Sequence, residues 1–210
     1  MTFEIKDDSI YFCRAGETGR LSACGENSIR FQASASGKLV EQDWTLMPRK
    51  AVANAWIENK DSAKEAFIEV GNLRARLEEC GRVTYFRNGE EILREQPELT
   101  FNMGYRHYKS KDSNLWNLRV TFEAREGEEF YGLGHERMNV FSKKGCTVDL
   151  RHLNTKASIP YVYSSLGYGF IWNMPSTGTV ELGCNRTRWS SDCAKGMDYV
   201  VIGGNPRQVT

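Results

Sequence analysis

The sequence predicts an all-β fold, an antiparallel β-sandwich of about a dozen strands. Three observations carry that expectation. Apolar and polar residues alternate with a period of two in several short runs, glycines (19) far outnumber prolines (5) as punctuation between them, and no long amphipathic helical stretch occurs. Strands never alternate with helices, which disfavours a parallel α/β sheet.

In chain order, Tyr11-Phe12-Cys13 and Ile29-Arg30-Phe31 read as one hairpin joined through Gly16, Gly19 and Gly25, with Ile29, Phe31 and Ala33 facing away from Arg30, Gln32 and Ser34. Asp61 to Phe67 is the best helical candidate, yet it reads equally well as a turn feeding a strand. Leu73, Ala75 and Leu77 alternate with Arg74, Arg76 and Glu78. Asn88-Gly89 separates Val83-Thr84-Tyr85-Phe86 from Ile92-Leu93, and this dipeptide tolerates the positive φ angles of a type I′ hairpin turn. Trp116, Leu118, Val120 and Phe122 alternate with Asn117, Arg119, Thr121 and Glu123, the pattern of a half-buried strand. Pro160 to Tyr163, Gly169 to Trp172, Thr179 to Leu182 and Asp198 to Ile202 add four more strands.

Ordinary apolar (40%) and charged (26%) fractions exclude a disordered or fibrous chain, and 210 residues suffice for one large domain or two small ones. Lys plus Arg (28) nearly balances Asp plus Glu (27), which argues against nucleic acid as a partner. No apolar run is long enough to span a membrane and the amino terminus has no secretory apolar segment, so a cytoplasmic location without membrane contact is expected. Six cysteines without a C-x-x-C pair read as reduced, buried thiols.

The supply of chemistry is thin. His107, His135 and His152 show no H-x-H or H-E-x-x-H spacing, so neither a metal nor another cofactor is expected. The G-x-S-x-G nucleophile elbow and the glycine-rich phosphate loops are missing too. Four carboxylate pairs, Asp7-Asp8, Glu78-Glu79, Glu90-Glu91 and Glu128-Glu129, read as solvated surface.

Phe130-Tyr131-Gly132-Leu133-Gly134-His135-Glu136-Arg137 resembles the F-Y-G-L-G-E-R motif of glycoside hydrolase family 31, the α-glucosidase and α-xylosidase family, with His135 as an insertion. Four further blocks follow in the family's order. Lys144 to Asp149 is similar to K-N-G-x-T-V-E, Ser158 to Tyr161 to x-I-P-F, Ser165 to Asn173 to S-x-G-Y-G-V-x-V-N, and Asp198 to Gly204 to D-Y-Y-x-I-x-G.

The resemblance implies a galactose-mutarotase-like sandwich that precedes a catalytic (β/α)8 barrel. In that family both catalytic aspartates lie in the barrel, which needs roughly 250 residues of its own. Residues 1–210 are therefore expected to form a single sandwich domain, ending before the barrel, that carries no catalytic residue and is inactive alone. Its expected contribution is a loop over about 135–158 that reaches the sugar subsite, with Met138, Arg151, His152, Asn154 and Thr155 as candidates to face substrate. Met138 stands where relatives carry an aromatic, Asn154 where they carry an aspartate, and Arg151-His152 replaces a W-N pair. Tyr131, Glu136 and Arg137 are candidates for the seam with the barrel. The implied partners are an α-glucoside or α-xyloside in the parent active site and the chain's own barrel, and the isolated domain is expected to self-associate through the apolar face left uncovered. The alternative is a stand-alone carbohydrate-binding or aldose-1-epimerase-like sandwich, with His107, His135 and Glu136 supplying acid and base.

Overall fold

A computed structural model describes residues 1–41, 45–47, 51–60, 63–97, 104–112, 114–136 and 138–209. Within them lie eighteen strands in three antiparallel sheets. The largest sheet runs in the spatial order β1 (Thr2–Lys6), β2 (Ser9–Arg14), β3 (Glu17–Ala23), β4 (Ser28–Ser34), β18 (Met197–Gly203), β15 (Tyr168–Trp172), β14 (Ala157–Ser164), β12 (Phe130–His135). A five-stranded meander holds β5 (Asn54–Lys60), β6 (Ala63–Val70), β7 (Leu73–Glu78), β8 (Val83–Arg87) and β9 (Glu90–Arg94). The third sheet has the order β10 (Arg106–Asp112), β11 (Leu115–Glu123), β17 (Arg186–Ala194), β16 (Gly178–Leu182), β13 (Thr147–Leu150). One short helix, α1 (Pro206–Val209), follows β18, and among the described residues no helix is long and apolar enough to cross a membrane.

The two smaller sheets meet at an isolated bridge between Glu95 and Phe122, reinforced by the Gln96 N–H donating to the Thr121 carbonyl at 2.8 Å. Together they form a second layer against the eight-stranded sheet. Aromatic side chains fill the space between layers: Phe122 of β11 meets Phe170 of β15 edge to face, Phe170 stacks on Trp189 of β17 at 4.9 Å, and Tyr85 of β8 meets Tyr199 of β18. Each such ring removes on the order of 150–250 Å² from water, so this seam dominates the apolar driving force.

The alternating runs become strands as expected, with Leu73, Ala75 and Leu77 fully buried and Leu118, Val120 and Phe122 likewise. Asn88 (φ 50) and Gly89 (φ 86) both take the left-handed conformation between β8 and β9, as a type I′ turn requires. Four expectations need correction. Eighteen strands exceed about a dozen because edge strands such as β1 and β10 are polar and largely exposed, and β17 turns Thr187, Trp189 and Ser191 inward, so period-two hydrophobicity never marks them. Tyr11–Cys13 and Ile29–Phe31 do not pair; β3 lies between them, with Gly19 in mid-strand because a Cβ there would sit 2.1 Å from the Phe12 ring. None of the six cysteines is in a disulfide, but none is buried either: Cys13, Cys184 and Cys193 are exposed and the other three intermediate. Glu128 is buried rather than solvated, and Glu78 is half-buried between Arg76 and Arg82. Of the ambiguous Asp61–Phe67 stretch, 63–67 belong to β6, while Asp61 and Ser62 lie outside the described residues.

Candidate functional site

The segment from β12 to β14 departs from regular sheet geometry at its first motif. Gly132 (φ 128), Leu133 (φ 68) and Gly134 (φ 76) all have positive φ, and the register of β12 on β14 slips between Gly132 and Gly134. A Cβ at Gly134 would meet the Ala157 carbonyl at 2.2 Å, and one at Gly132 the Tyr161 carbonyl at 2.5 Å. The two glycines thus permit a bulge that buries Leu133 completely and redirects the chain out of the sheet at His135.

Beyond the bulge the loop is tied at both ends. Lys143 donates its N–H to the Phe130 carbonyl at 2.8 Å and its Nζ to the Val140 carbonyl at 2.7 Å, while Gly145 N–H donates to the Leu182 carbonyl at 2.6 Å. After β13 the chain reverses through Leu153 to Lys156, whose backbones bond reciprocally at 3.2 and 3.1 Å, with Thr155 at φ 63. Lys156 Nζ closes the base of this turn, donating to the Asp149 carbonyl at 2.6 Å and pairing with Glu136 at 3.0 Å.

The sequence candidates separate under this geometry. Arg151 and His152 line a cleft of about 310 Å³ together with Leu150, Ser158, Pro160 and Trp172. Arg151 pairs with Asp149 at 3.3 Å, and His152 Nδ1 accepts the Ser158 N–H at 3.3 Å. Met138, Asn154 and Thr155 are exposed on the loop and do not line that cleft. Tyr131 is half-buried and packs on Phe141 at 5.0 Å, and Phe141 itself is 86% exposed. Glu136 joins Lys156 inside the loop, and Arg137 lies outside the described residues. A second groove, about 500 Å³, is lined by Ile159, Tyr161, Ile171, Met174 and Val209 and adjoins the first through Pro160 and Trp172.

The strongest electrostatics lie elsewhere, at residues that no sequence motif marks. Arg106 of β10 donates Nη1 to Glu95 at 2.5 Å, Nε and Nη2 to Glu17 of β3 at 2.7 and 2.9 Å, and Nη2 also to the Gly81 carbonyl at 2.9 Å. Tyr108 and Tyr199 add hydroxyl bonds to Glu17 and Glu95, and the Val83 N–H donates to Glu95 at 2.9 Å. One guanidinium thus serves two carboxylates. Burial raises both, but at Glu17 the bonds and charge of Arg106 with the Tyr108 hydroxyl outweigh it, leaving that carboxyl below its ordinary value. At Glu95, which is fully buried, desolvation wins over Arg106 and Val83, with Glu17 adding repulsion, and the carboxyl is held above its ordinary value. Glu128 is likewise raised by burial against the Ser164 and Tyr168 hydroxyls that donate to it at 2.6 and 2.7 Å. The three histidines are exposed, and Glu136, the carboxylate of the epimerase alternative, pairs with Lys156.

The chain is thus an antiparallel sandwich domain whose irregular loop follows a glycine bulge. The chain belongs to the glycosyl hydrolase 31 N-terminal galactose mutarotase-like domain family, whose profile matches residues 18–181. It is 28% identical over 205 residues to an uncharacterized family 31 glucosidase of Pseudescherichia vulneris, covering 89% of this chain and 38% of that protein. It is 30% identical over 131 residues to α-xylosidase A of Aspergillus niger, covering 60% of this chain and 18% of that enzyme. The crystal structure of a family 31 α-xylosidase from a soil metagenome, complexed with xylose, superimposes with a TM-score of 0.87 at 28% identity, covering 98% of this chain and 32% of the enzyme. The chain spans well under half the length of each.

Proposed function

We propose that this chain acts as the non-catalytic amino-terminal domain of a retaining α-glycosidase, packing on a catalytic barrel and lending its 135–158 loop to the binding of an α-xyloside or α-glucoside. The observation that carries the reading is the alignment of 98% of this chain with only 32% of an α-xylosidase that holds xylose. The exposed apolar side chains Val140, Phe141 and Leu153 of the loop, with Ile159 on β14, support a docking role, because apolar exposure marks surfaces that meet a partner. Six cysteines outside any disulfide support a reducing, cytoplasmic setting.

The test is to assay residues 1–210 and the longer polypeptide encoded by the same reading frame on aryl α-xyloside and aryl α-glucoside. Turnover is expected from the longer chain alone. Turnover by residues 1–210, or a reading frame that carries no barrel, overturns the proposal.

A further inference from the structure

Five polar side chains line the 310 Å³ cleft between the β13–β14 turn and the β15–β16 turn: Arg151, His152, Ser158, Ser176 and Thr177. Two of them are engaged within the fold. The Ser176 hydroxyl bonds the Ser191 hydroxyl at 2.8 Å and accepts the Cys193 N–H at 3.1 Å, and the Thr177 hydroxyl donates to Asp192 at 2.7 Å. Ser158 differs. It is only 7% exposed, and its hydroxyl is buried without a hydrogen-bond partner. A buried hydroxyl in that condition costs free energy unless something else bonds it.

The groups around it are donors. His152 Nδ1 already accepts the Ser158 N–H, so the neutral ring carries its proton on Nε2. Arg151 contacts Asp149 through one nitrogen, and a guanidinium has donors in excess of that pairing. Leu150, Pro160 and Trp172 supply an apolar floor, and the volume is that of a single small ring. Three donor-bearing side chains lining a ring-sized cleft with an apolar floor call for a ligand with acceptor oxygens.

We propose that this cleft binds the carboxylate of a ring-sized acidic ligand, the chemistry of a hexuronate, with Ser158, His152 and Arg151 donating to it. The inference does not rest on the glycosidase reading and is tested on this chain alone. Backbone amide shifts are followed by NMR while glucuronate, glucose or acetate is added. Glucuronate is expected to shift residues 150–160 and 172–177 with a Kd on the order of 1 mM, at least tenfold tighter than glucose or acetate. Ser158→Ala and Arg151→Met are each expected to weaken it about tenfold, the loss of one charge-assisted bond. Arg151 is exposed, so that variant leaves the fold intact. Absence of shifts at about 20-fold the expected Kd overturns the site, as does binding unchanged in both variants. Equal binding of glucose overturns the carboxylate, and equal binding of acetate overturns the ring.

Discussion

Two polar regions of this domain use charge in opposite ways. Around Arg106 four donated hydrogen bonds fan out from one side chain, and they reach β3 of the large sheet, Glu95 at the junction of the smaller sheets and the turn between β7 and β8. On the 135–158 loop the ion pairs are local, Glu136 with Lys156 and Arg151 with Asp149, while apolar side chains face water. The joint is closed on itself and serves cohesion between layers. The loop is tied at Lys143, through β13 on β16 and at Lys156, which fixes its course while Phe141 and Leu153 stay exposed.

The largest expected effect comes from breaking the joint. Arg106→Met keeps much of the side-chain volume but strands two carboxylates in a buried site, and removing one partner of such a network costs about 3–5 kcal/mol. Urea denaturation should show a loss in that range, and a loss under about 1 kcal/mol would mean the joint contributes no cohesion. Next is the hinge between the two regions. Gly134→Ala places a Cβ against the Ala157 carbonyl at positive φ, which costs at least about 1–2 kcal/mol from backbone strain alone. If Gly134→Ala leaves stability unchanged, the bulge is not what directs the chain into the loop.

These sites differ in how far the sequence reveals them. The Asn88-Gly89 turn and the strand that carries Leu73, Ala75 and Leu77 are legible because turn chemistry and period-two burial are local properties. The glycine motif at 132–134 is legible as a motif, and the structure supplies its reason in the bulge. The Arg106 joint is not legible. Arg106 opens a polar run, Arg106-His107-Tyr108-Lys109-Ser110-Lys111-Asp112, whose other residues are mostly exposed, and its partners stand 89 and 11 positions away in sequence. Glu128 looks solvated in the sequence for a related reason: its partners Ser164 and Tyr168 stand 36 and 40 residues on. Of the cleft, Arg151 and His152 are legible through the family resemblance, whereas the unpartnered Ser158 hydroxyl is a fact of packing with no signature in residue type.

Acid titration separates the two kinds of buried carboxylate through a smaller effect. Glu17 is held below the ordinary value of 4.5, so its contribution is fully present above that value and is lost as pH falls through the lowered one. Glu95 and Glu128 are held above 4.5, so their contributions run the other way, present below 4.5 and lost as pH rises through the raised values. Stability should therefore rise as the medium is acidified from neutrality toward 4.5 and fall again below it. Glu128→Gln keeps an oxygen that can accept from Ser164 and Tyr168 and removes the buried charge, so it should flatten the rise above 4.5 without touching the fall below. A stability curve that declines steadily from neutral pH downward contradicts the assignment of Glu95 and Glu128.

The smallest expected effect on stability lies on the loop and the start of β14. Phe141, Leu153 and Ile159 are 86%, 52% and 55% exposed, so changing each to Ser removes little contact within the domain and should shift stability by no more than about 0.5 kcal/mol. Self-association is where the change should register. If these side chains form the uncovered docking face, the unmodified chain sediments as a mixture whose average mass rises with concentration, and the triple variant sediments as a monomer across the same range. A triple variant that loses several kcal/mol would show the loop to be part of the core, and an unmodified chain that is monomeric throughout would remove the docking face. Either result would erase the contrast with Arg106, whose substitution should destabilise the sandwich while leaving the chemistry of the loop surface unchanged.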